Sequence, residues 1–350
     1  MPEPGNILVV QTAFLGDVIL TLPMVQILKR HFPLSAIDVL VVPRAAELLA
    51  NHPAVHEAVV FDKRGKDAGV RGLARMASGL RKRRYRIAFV PHRSLRSAVV
   101  VLAAGIPQRI GFHSSAGRLF LSRIVRYDSS IHEIDRNIHL LRAVDIETKE
   151  KEFPDLYPSG DDKRKVESFL SANNGGNMRQ LIGIAPGTVW NTKQWLKERF
   201  IELAGRLISS GFTPVLVGGN EDAVLCQSIA QSVSIGNIIV AAGGLTLLQS
   251  AELIRRCRVL VTNDSAPMHL AVAMRTPVVA VFGATVPEFG FAPYGQYDVV
   301  VETNGLSCRP CSIHGGDECP ITTFDCMVDI SSETVHDSVL QVLKQSHAVT

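Results

Sequence analysis

Residues 259–271 of the chain are VLVTNDSAPMHLA, and this stretch decides the fold class. Apolar and β-branched residues run directly into polar Asn263, Asp264 and Ser265, and Pro267 then suits the first turn of a helix. A short apolar strand that leads into a helix is the unit from which parallel sheets are built. The stretch therefore predicts an α/β fold with polar side chains at the carboxyl end of a buried strand.

The same alternation of short apolar runs and amphipathic segments extends along the whole chain. It predicts two successive α/β units, each large enough for an open parallel sheet. The predicted strands are 7–10, 37–42, 58–61, 87–90 and 109–111 in the first half, and 181–185, 213–217, 237–240, 259–262, 278–282 and 298–301 in the second. The predicted helices are 18–31, 68–83, 94–104, 134–144, 196–209, 221–232, 246–256 and 332–345, besides the helix after Pro267.

A polar stretch at 153–162, rich in proline and glycine, predicts the break between the units, and 173–177 is a second soft spot. We expect an N-terminal domain over 1–155, a second over 156–330 and a C-terminal helix within 331–350. Tandem repeats of about 20–50 residues, which would indicate a solenoid, are not found.

Composition indicates a globular protein with an anionic partner. Of the 350 residues 46% are hydrophobic, which excludes disorder, and no apolar run approaches the about 18 residues of a membrane span. Without a secretion signal, we expect a soluble, cytoplasmic chain.

Residues 1–150 hold 22 basic against 13 acidic residues, a charge of +9, whereas 151–350 carry −5. The basic half suits a phosphorylated glycolipid, a membrane surface or nucleic acid, or is a solvated face; aromatic residues do not interleave with the basic ones as RNA binding would favour.

Ligands of open parallel sheets bind outside the carboxyl ends of the strands. After the first strand, Gly16 permits a tight turn and Asp17 stands at a helix start. Asp17 is either a helix cap or a carboxylate that takes a proton from a substrate hydroxyl. The G-x-G-x-x-G motif of dinucleotide-binding enzymes is missing there.

Three further strand ends carry candidate ligand contacts. After strand 181–185, Gly187 allows close approach of the backbone, Thr188 offers a hydroxyl donor and Lys193 a cation, which suit a diphosphate unless this is only a polar loop. Glu221, after Gly218 and Gly219, either binds ribose hydroxyls or favours a helix N-terminus. After strand 259–262, free N–H groups form an anion site, and His269 lies one turn into the following helix.

These residues resemble glycosyltransferase family 9, the ADP-heptose:lipopolysaccharide heptosyltransferases, and look closest to the heptosyltransferase II branch. The resemblance spans about residues 5–345. It is carried by the order and spacing of five segments, which are FLGDV at 14–18 before Leu22-Pro23, RIGF at 109–112, APGT at 185–188 with KQW at 193–195, TNDSAPMH at 262–269 and AVFGAT at 280–285.

The resemblance implies the GT-B fold, in which two Rossmann-like domains face each other across a cleft, the second holding the donor and the first the acceptor. It also implies an inverting, metal-independent transfer of heptose from ADP-heptose. By position, Asp17 matches the general base, Thr188 and Lys193 contact the diphosphate, Glu221 faces the ribose, and Asp264, Ser265, Ala266 and His269 form the second nucleotide loop. Val189 departs from relatives with threonine there, and Ala266 replaces the usual glycine.

Arginines of the basic half are the expected acceptor contacts. Arg93 and Arg96 follow the strand ending at Val90, and Arg109 and Arg118 lie along the next segments. Under the resemblance they bind an anionic lipid A–Kdo core acceptor, with no nucleic acid partner. We also expect peripheral contact with the inner face of the cytoplasmic membrane, to which 81–84 contributes unless it is a solvated helix end.

Cys308, Cys311, Cys319 and Cys326 follow the pattern C-x₂-C-x₇-C-x₆-C. In a reducing compartment the set is a structural metal site, a group of free thiols or, less in keeping with that compartment, disulfides. No cofactor is expected for the reaction itself.

Two other functions fit part of the pattern. A GT-B epimerase would rearrange its nucleotide sugar without needing an acceptor. A non-catalytic protein that binds anionic glycolipids would use the basic half alone, and its binding would survive loss of Asp17 and Lys193.

Overall fold

The computed structural model describes residues 5–174 and 180–347. Contacts within the chain define two compact units, Met1–Tyr157 and Pro158–Thr350. The boundary between them lies inside the polar stretch 153–162. Part of the soft spot at 173–177 lies outside the described residues.

The first unit is a six-stranded parallel sheet flanked by helices. Its strands are β1 Ile7–Val10, β2 Ile37–Val41, β3 Glu57–Val60, β4 Ile87–Val90, β5 Gln108–Phe112 and β6 Arg123–Val125. Its helices are α1 Leu15–His31, α2 Gly69–Lys82, α3 Leu95–Ala103 and α4 Glu133–His139. The strand order is β3-β2-β1-β4-β5-β6.

The second unit repeats this plan. Its strands are β7 Leu181–Ala185, β8 Thr213–Leu216, β9 Ile239–Val240, β10 Val259–Asn263, β11 Val278–Phe282 and β12 Val299–Glu302. Its helices are α5 Gly160–Asn174, α6 Lys197–Ser209, α7 Ala223–Ser232, α8 Leu247–Arg256, α9 Ala266–Ala273, α10 Asp325–Val328 and α11 Ser332–His347. The order β12-β11-β10-β7-β8-β9 is the same topology, since β7 takes the place of β1 and β10 that of β4.

Central strands of both sheets are buried on both faces, as helix-covered parallel sheets require. Every residue of β1, β4, β7, β10 and β11 is buried, and these strands are apolar throughout except for Thr262 and Asn263 at the end of β10. All predicted strands form, with ends within two residues of those predicted. The short edge strand β6, the highly charged helix α5 and the single-turn helix α10 were not predicted.

Within 5–174 and 180–347, no helix is both long and apolar enough to cross a lipid bilayer.

Candidate active site

The strand order reverses between β1 and β4 in the first unit and between β7 and β10 in the second. Ligands of doubly wound sheets bind outside the carboxyl ends of the strands at such reversals. The segments that follow these four strands are therefore the candidate site of each unit.

Asp17 lies at the reversal of the first unit, as the third residue of α1. Its Oδ2 accepts a hydrogen bond of 3.1 Å from the backbone N–H of Phe14, and the residue is half-buried. The carboxylate thus satisfies a backbone donor at the helix start, although it is not itself the capping residue. Because this bond holds it in place while part of it stays accessible, the geometry also suits a general base.

A buried polar group is electrostatically coupled to Asp17. Arg136 Nη1 donates hydrogen bonds to Glu133 Oε2 over 2.9 Å and to the Tyr127 hydroxyl over 2.7 Å. The guanidinium carbon of Arg93 lies 4.3 Å from the centroid of the Tyr127 ring. Burial raises the pKa of the Glu133 carboxyl, and the charge of Asp17 raises it further, against the effect of Arg136.

A second polar cluster joins the carboxyl ends of β1 and β4. His92 Nδ1 lies 3.0 Å from both Thr12 Oγ1 and Ser97 Oγ, and Lys63 Nζ donates to the Thr12 carbonyl over 2.5 Å. Burial lowers the pKa of His92 to about 4, with Lys63 and Arg93 adding to the effect. His92 is therefore neutral at pH 7.

Three of the four arginines predicted to bind the acceptor lie in or next to the segment that follows β4, and the fourth does not. Arg93 and Arg96 follow β4 at the carboxyl edge, where Arg96 is exposed and donates to the Lys63 carbonyl over 3.1 Å. Exposed Arg118 belongs to a turn that is tied to Arg93 by the 3.0 Å bond from the N–H of Ala116 to the Arg93 carbonyl.

Arg109 is placed elsewhere. It is the second residue of β5, so it lies near the amino end of the strand. Its guanidinium donates to the carbonyls of Phe120 over 2.7 Å and Ile106 over 2.5 Å. These bonds brace the loop of Arg109 away from the carboxyl edge, so the structure gives no support to its predicted acceptor contact.

In the second unit an ion pair spans the reversal. Lys193 Nζ lies 2.5 Å from Asp264 Oδ2, with side chains 13% and 8% exposed. The Thr285 hydroxyl donates to the same carboxylate oxygen over 2.7 Å. The structure thus brings together a cation and a carboxylate that are 71 residues apart in the sequence.

Asn263 fixes the segment that carries Lys193. Its amide Nδ2 donates to the Pro186 carbonyl over 2.8 Å, and its Oδ1 accepts from the backbone N–H of Trp195 over 3.0 Å. The side chain is completely buried. One residue therefore holds both ends of the loop 186–195, and its position at the end of a buried strand was the signal in the sequence.

Gly187 packs closely against a side chain of another strand-end loop, and its approach to a ligand stays a prediction. A Cβ atom on Gly187 would lie 1.9 Å from Asp222 Oδ1, so the space beside it belongs to the Asp222 carboxylate. That carboxylate accepts from the backbone N–H of Gly219 over 2.9 Å. Gly187 is thus needed for packing between two strand-end loops.

The other residues predicted to contact the donor lie in the segments that follow β7, β8 and β10. Thr188 is half-buried and Val189 is 71% exposed, whereas Glu221 is exposed in a 3₁₀ turn. Ser265 precedes α9, Ala266 begins it and buried His269 lies one turn on. Their roles toward a ligand stay predictions.

Comparison with known proteins gives the family. The model of glycosyltransferase family 9 (heptosyltransferase) matches residues 73–318. Lipopolysaccharide heptosyltransferase 2 of Salmonella typhimurium is 30% identical over 297 residues, which cover 81% of this chain and 84% of that protein. The chain belongs to glycosyltransferase family 9.

Solved structures agree with this membership. The Escherichia coli ADP-heptose LPS heptosyltransferase II matches with a TM-score of 0.79 and 27% identity, over 98% of this chain and 99% of that one. A family 9 glycosyl transferase from Veillonella parvula matches with a TM-score of 0.88 and 24% identity, over 99% of both chains. As a family 9 member the protein is a glycosyltransferase, and its two Rossmann-like units are those of the GT-B fold. The predicted family and fold class are confirmed.

The cysteine-rich segment of this family 9 chain adjoins the Lys193 loop. Thr192 Oγ1 accepts from the N–H of Gly316 over 2.8 Å, and the N–H of Thr192 donates to the Gly316 carbonyl over 3.0 Å. Burial raises the pKa of Cys326 to about 11, whereas hydrogen bonds from backbone N–H groups, that of Phe324 above all, lower the pKa of Cys319.

The described cysteines are all free thiols, and no three of their sulfur atoms lie within 4.8 Å of one another. Metal binding by Cys308, Cys311, Cys319 and Cys326 remains one of the alternatives that the sequence leaves open.

In the described ranges, one group of potential metal ligands has its ligand atoms within 4.8 Å of one another, and it consists of Asp38, His56 and Glu57. Both carboxylates are bound by Arg83, at 3.0 Å from Asp38 and 2.6 Å from Glu57, and β2 and β3 begin here. The group braces the amino edge of the sheet and engages one of the four basic residues at 81–84.

Proposed function

We propose that this glycosyltransferase transfers L-glycero-D-manno-heptose from ADP-heptose to the inner core of lipopolysaccharide with inversion, and that Asp17 is the general base. The names of the relatives, lipopolysaccharide heptosyltransferase 2 and ADP-heptose LPS heptosyltransferase II, support the donor and the acceptor class. The observation that carries the proposal is the Lys193–Asp264 ion pair at the strand reversal of the second unit.

Lys193 is well suited to stabilise a departing diphosphate. A lysine ammonium has several N–H donors, so the bond to Asp264 fixes its position and leaves donors for phosphate oxygens. The N-terminus of α9 begins directly after Asp264 and Ser265 and adds a positive helix end. Thr188 would supply a hydroxyl from the same loop. Charge that develops on ADP thus meets groups that need no reorganisation.

The first unit would supply the acceptor side. Arg93 and Arg96 follow β4 beside Lys63, and guanidinium groups suit the carboxylates and phosphates of a lipid A–Kdo core. Burial and the neighbouring charges of Arg64 and Arg96 lower the pKa of Lys63. Such crowding of cations favours an anionic partner.

In the reaction we propose, Asp17 accepts the proton of an acceptor hydroxyl. The hydroxyl oxygen forms the new bond to the anomeric carbon as the bond from that carbon to the ADP oxygen breaks on the opposite face. The electron pair leaves with ADP, and the centre inverts. The step uses no cofactor, and Lys193 and helix N–H groups carry the leaving charge.

We further propose that the chain works in the cytoplasm at the inner face of the cytoplasmic membrane through peripheral contact. The basic first half supports this, since anionic lipid attracts clustered basic residues.

The test is ADP release from ADP-heptose with a panel of truncated core acceptors. The proposal expects ADP only when an acceptor with the correct terminal sugar is present. Rearrangement of the donor without acceptor would instead indicate an epimerase, and glycolipid binding without ADP release would indicate a binding protein.

A further inference from the structure

Helix α3 of the first unit exposes a row of apolar side chains. Leu95 and Leu102 are 50% and 40% exposed, and Val99 between them is half-buried. Residues at this spacing lie along one side of a helix. Ala98 and Val101, on the side that packs on the sheet, are completely buried. Helix α3 is therefore apolar on its exposed side as well as on its packed side.

The turn at Arg118–Phe120 extends this row. Leu119 in the turn is 88% exposed, and the turn packs on α3. Gly117, directly before the turn, lies so close to the helix that a Cβ atom there would be 2.4 Å from Cβ of Ala98 and 3.4 Å from Cα of Leu95. The apolar residues of the helix and the turn thus form one surface. We call it the α3 face and define it by Leu95, Val99, Leu102 and Leu119.

The α3 face lies in a part of the chain whose charged residues are all basic. Residues 68–127 include 13 basic residues and no acidic residue. Exposed Arg96 and Arg118 are next in sequence to leucines of the face. Exposed Arg81 donates to the Ala103 carbonyl, at the C-terminal end of α3, over 2.6 Å. A carbonyl oxygen has no formal charge, so this bond does not neutralise the arginine. Cations therefore lie at both ends of the face.

Helix α3 runs from the carboxyl edge of the sheet to its amino edge, because it connects the end of β4 to the start of β5. Its first turn, with Leu95 and Arg96, thus lies at the edge where ligands of such sheets bind. An acceptor that is anchored in a lipid bilayer could reach this edge if the bilayer lay against the α3 face.

We propose that the α3 face docks on the surface of an anionic lipid bilayer, with its leucines among the lipid headgroups and its flanking arginines at lipid phosphates. Exposed apolar side chains beside clustered cations are typical of helices that lie on a bilayer surface. The inference rests on the peripheral membrane contact of the proposed function, and it names the surface that makes this contact.

Two other occupants fit the face less well. A symmetric contact between two copies of the chain would bring the same arginines together, and like charges across an interface repel each other. A nucleic acid would bind the arginines but offers nothing to the leucines, since its bases stack on aromatic side chains. A bilayer surface uses both the leucines and the arginines.

The experiment measures co-sedimentation of the full chain with vesicles of phosphatidylcholine, with and without phosphatidylglycerol. We expect the wild type to bind the vesicles that contain phosphatidylglycerol at least about 10-fold more tightly. Leu102→Ser combined with Leu119→Ser should weaken this binding by about 10-fold or more, because two leucines no longer leave water. Arg81→Gln should weaken it by about fivefold, through the loss of one charge.

Leu34→Ser is the matched control. Leu34 is 86% exposed in the same unit, but it lies between α1 and β2, at the amino edge of the sheet. This variant should bind the vesicles as the wild type does. Leu119→Ser alone replaces the double variant if the latter does not fold, and it should weaken binding by about threefold or more.

Equal binding of the wild type and the leucine variants to vesicles with phosphatidylglycerol would overturn the role of the α3 face. A dimer that dissociates in the leucine variants, measured by analytical ultracentrifugation, would overturn it in favour of a second copy. RNA binding without vesicle binding would overturn it in favour of a nucleic acid. A wild type that binds neither kind of vesicle would overturn the membrane contact as a whole.

ADP release with a soluble, truncated core acceptor separates these outcomes from the proposed reaction, because it needs no membrane. The leucine variants should retain the rate of the wild type in this assay, and a loss of rate there would overturn a role in docking alone. Absence of ADP release in the wild type would overturn the proposed reaction, whereas the vesicle measurements would still test the α3 face.

Discussion

The two units share one strand order but differ in the charged side chains at the strand reversal. In the second unit Lys193 forms an ion pair with Asp264, Asn263 at the end of β10 holds the loop that carries Lys193, and Thr285 donates to Asp264. In the first unit Lys63 lies near two other basic residues instead. Burial and the charges of Arg64 and Arg96 lower the pKa of Lys63. The topology therefore determines where a site lies, while the side chains determine whether its charges form an ion pair within the protein or favour an anionic ligand.

Removal of the lysine of the ion pair tests this difference between the units with the largest expected effect. In Lys193→Met we expect kcat/KM for ADP-heptose to fall by about 10²- to 10³-fold, as when an electrostatic donor to a transition state is removed. The free energy of unfolding should fall by about 3 kcal/mol, because the nearly buried Asp264 carboxylate loses its cation.

Steady-state kinetics and urea unfolding check the two effects on Lys193→Met. Lys163→Met is the control, since Lys163 lies exposed on α5. A kcat/KM within threefold of the wild type would mean that the ion pair does not serve the donor.

Substitution of the arginines of the first unit should have an intermediate effect, on the KM for the acceptor. Arg93→Met should raise the KM for a core acceptor by about 10-fold or more, since a charge-assisted hydrogen bond contributes about 1.5–3 kcal/mol. Arg109→Met should leave that KM unchanged and lower the free energy of unfolding, because its guanidinium serves the carbonyls of Phe120 and Ile106. Acceptor titrations of both variants test the assignment, and equal KM values would contradict it.

The effect that is smallest at pH 7 concerns the acid stability of the first unit. Burial lowers the pKa of both His52 and His92 to about 4, from 6.5 for the unfolded chain. Since the unfolded chain binds more protons between these values, stability is lost as pH falls from about 6.5 to 4. We expect each of the two groups to contribute a loss of about 2 kcal/mol between pH 7 and pH 5.

Urea unfolding at pH 7 and pH 5 measures this loss. His92→Asn and His52→Gln should each reduce the pH dependence. A free energy of unfolding that is equal at both pH values in the wild type would show that the buried histidines do not act in this way.

The strands could be predicted because helix-covered parallel strands are buried on both faces and appear as continuous apolar runs. Helix α5 could not, since it buries little more than Val166 and Leu170 among charged residues and follows a break rich in proline and glycine. Asp264 directly follows β10, and Asp17 and Lys193 lie in the segments that follow β1 and β7, so all three could be placed at the sheet edges. The Asp222 carboxylate beside Gly187 and the hydrogen bond from Arg136 to the Tyr127 hydroxyl depend on tertiary packing, for which spacing gives no signal.

Transfer by Asp17→Asn at saturating ADP-heptose and acceptor tests the central claim most directly. Asparagine retains an oxygen that can accept from the N–H of Phe14 but cannot take up the acceptor proton. The account predicts that the Kd of ADP-heptose is unchanged while the single-turnover rate falls by about 100-fold or more. A rate close to that of the wild type, with the same donor affinity, would contradict it.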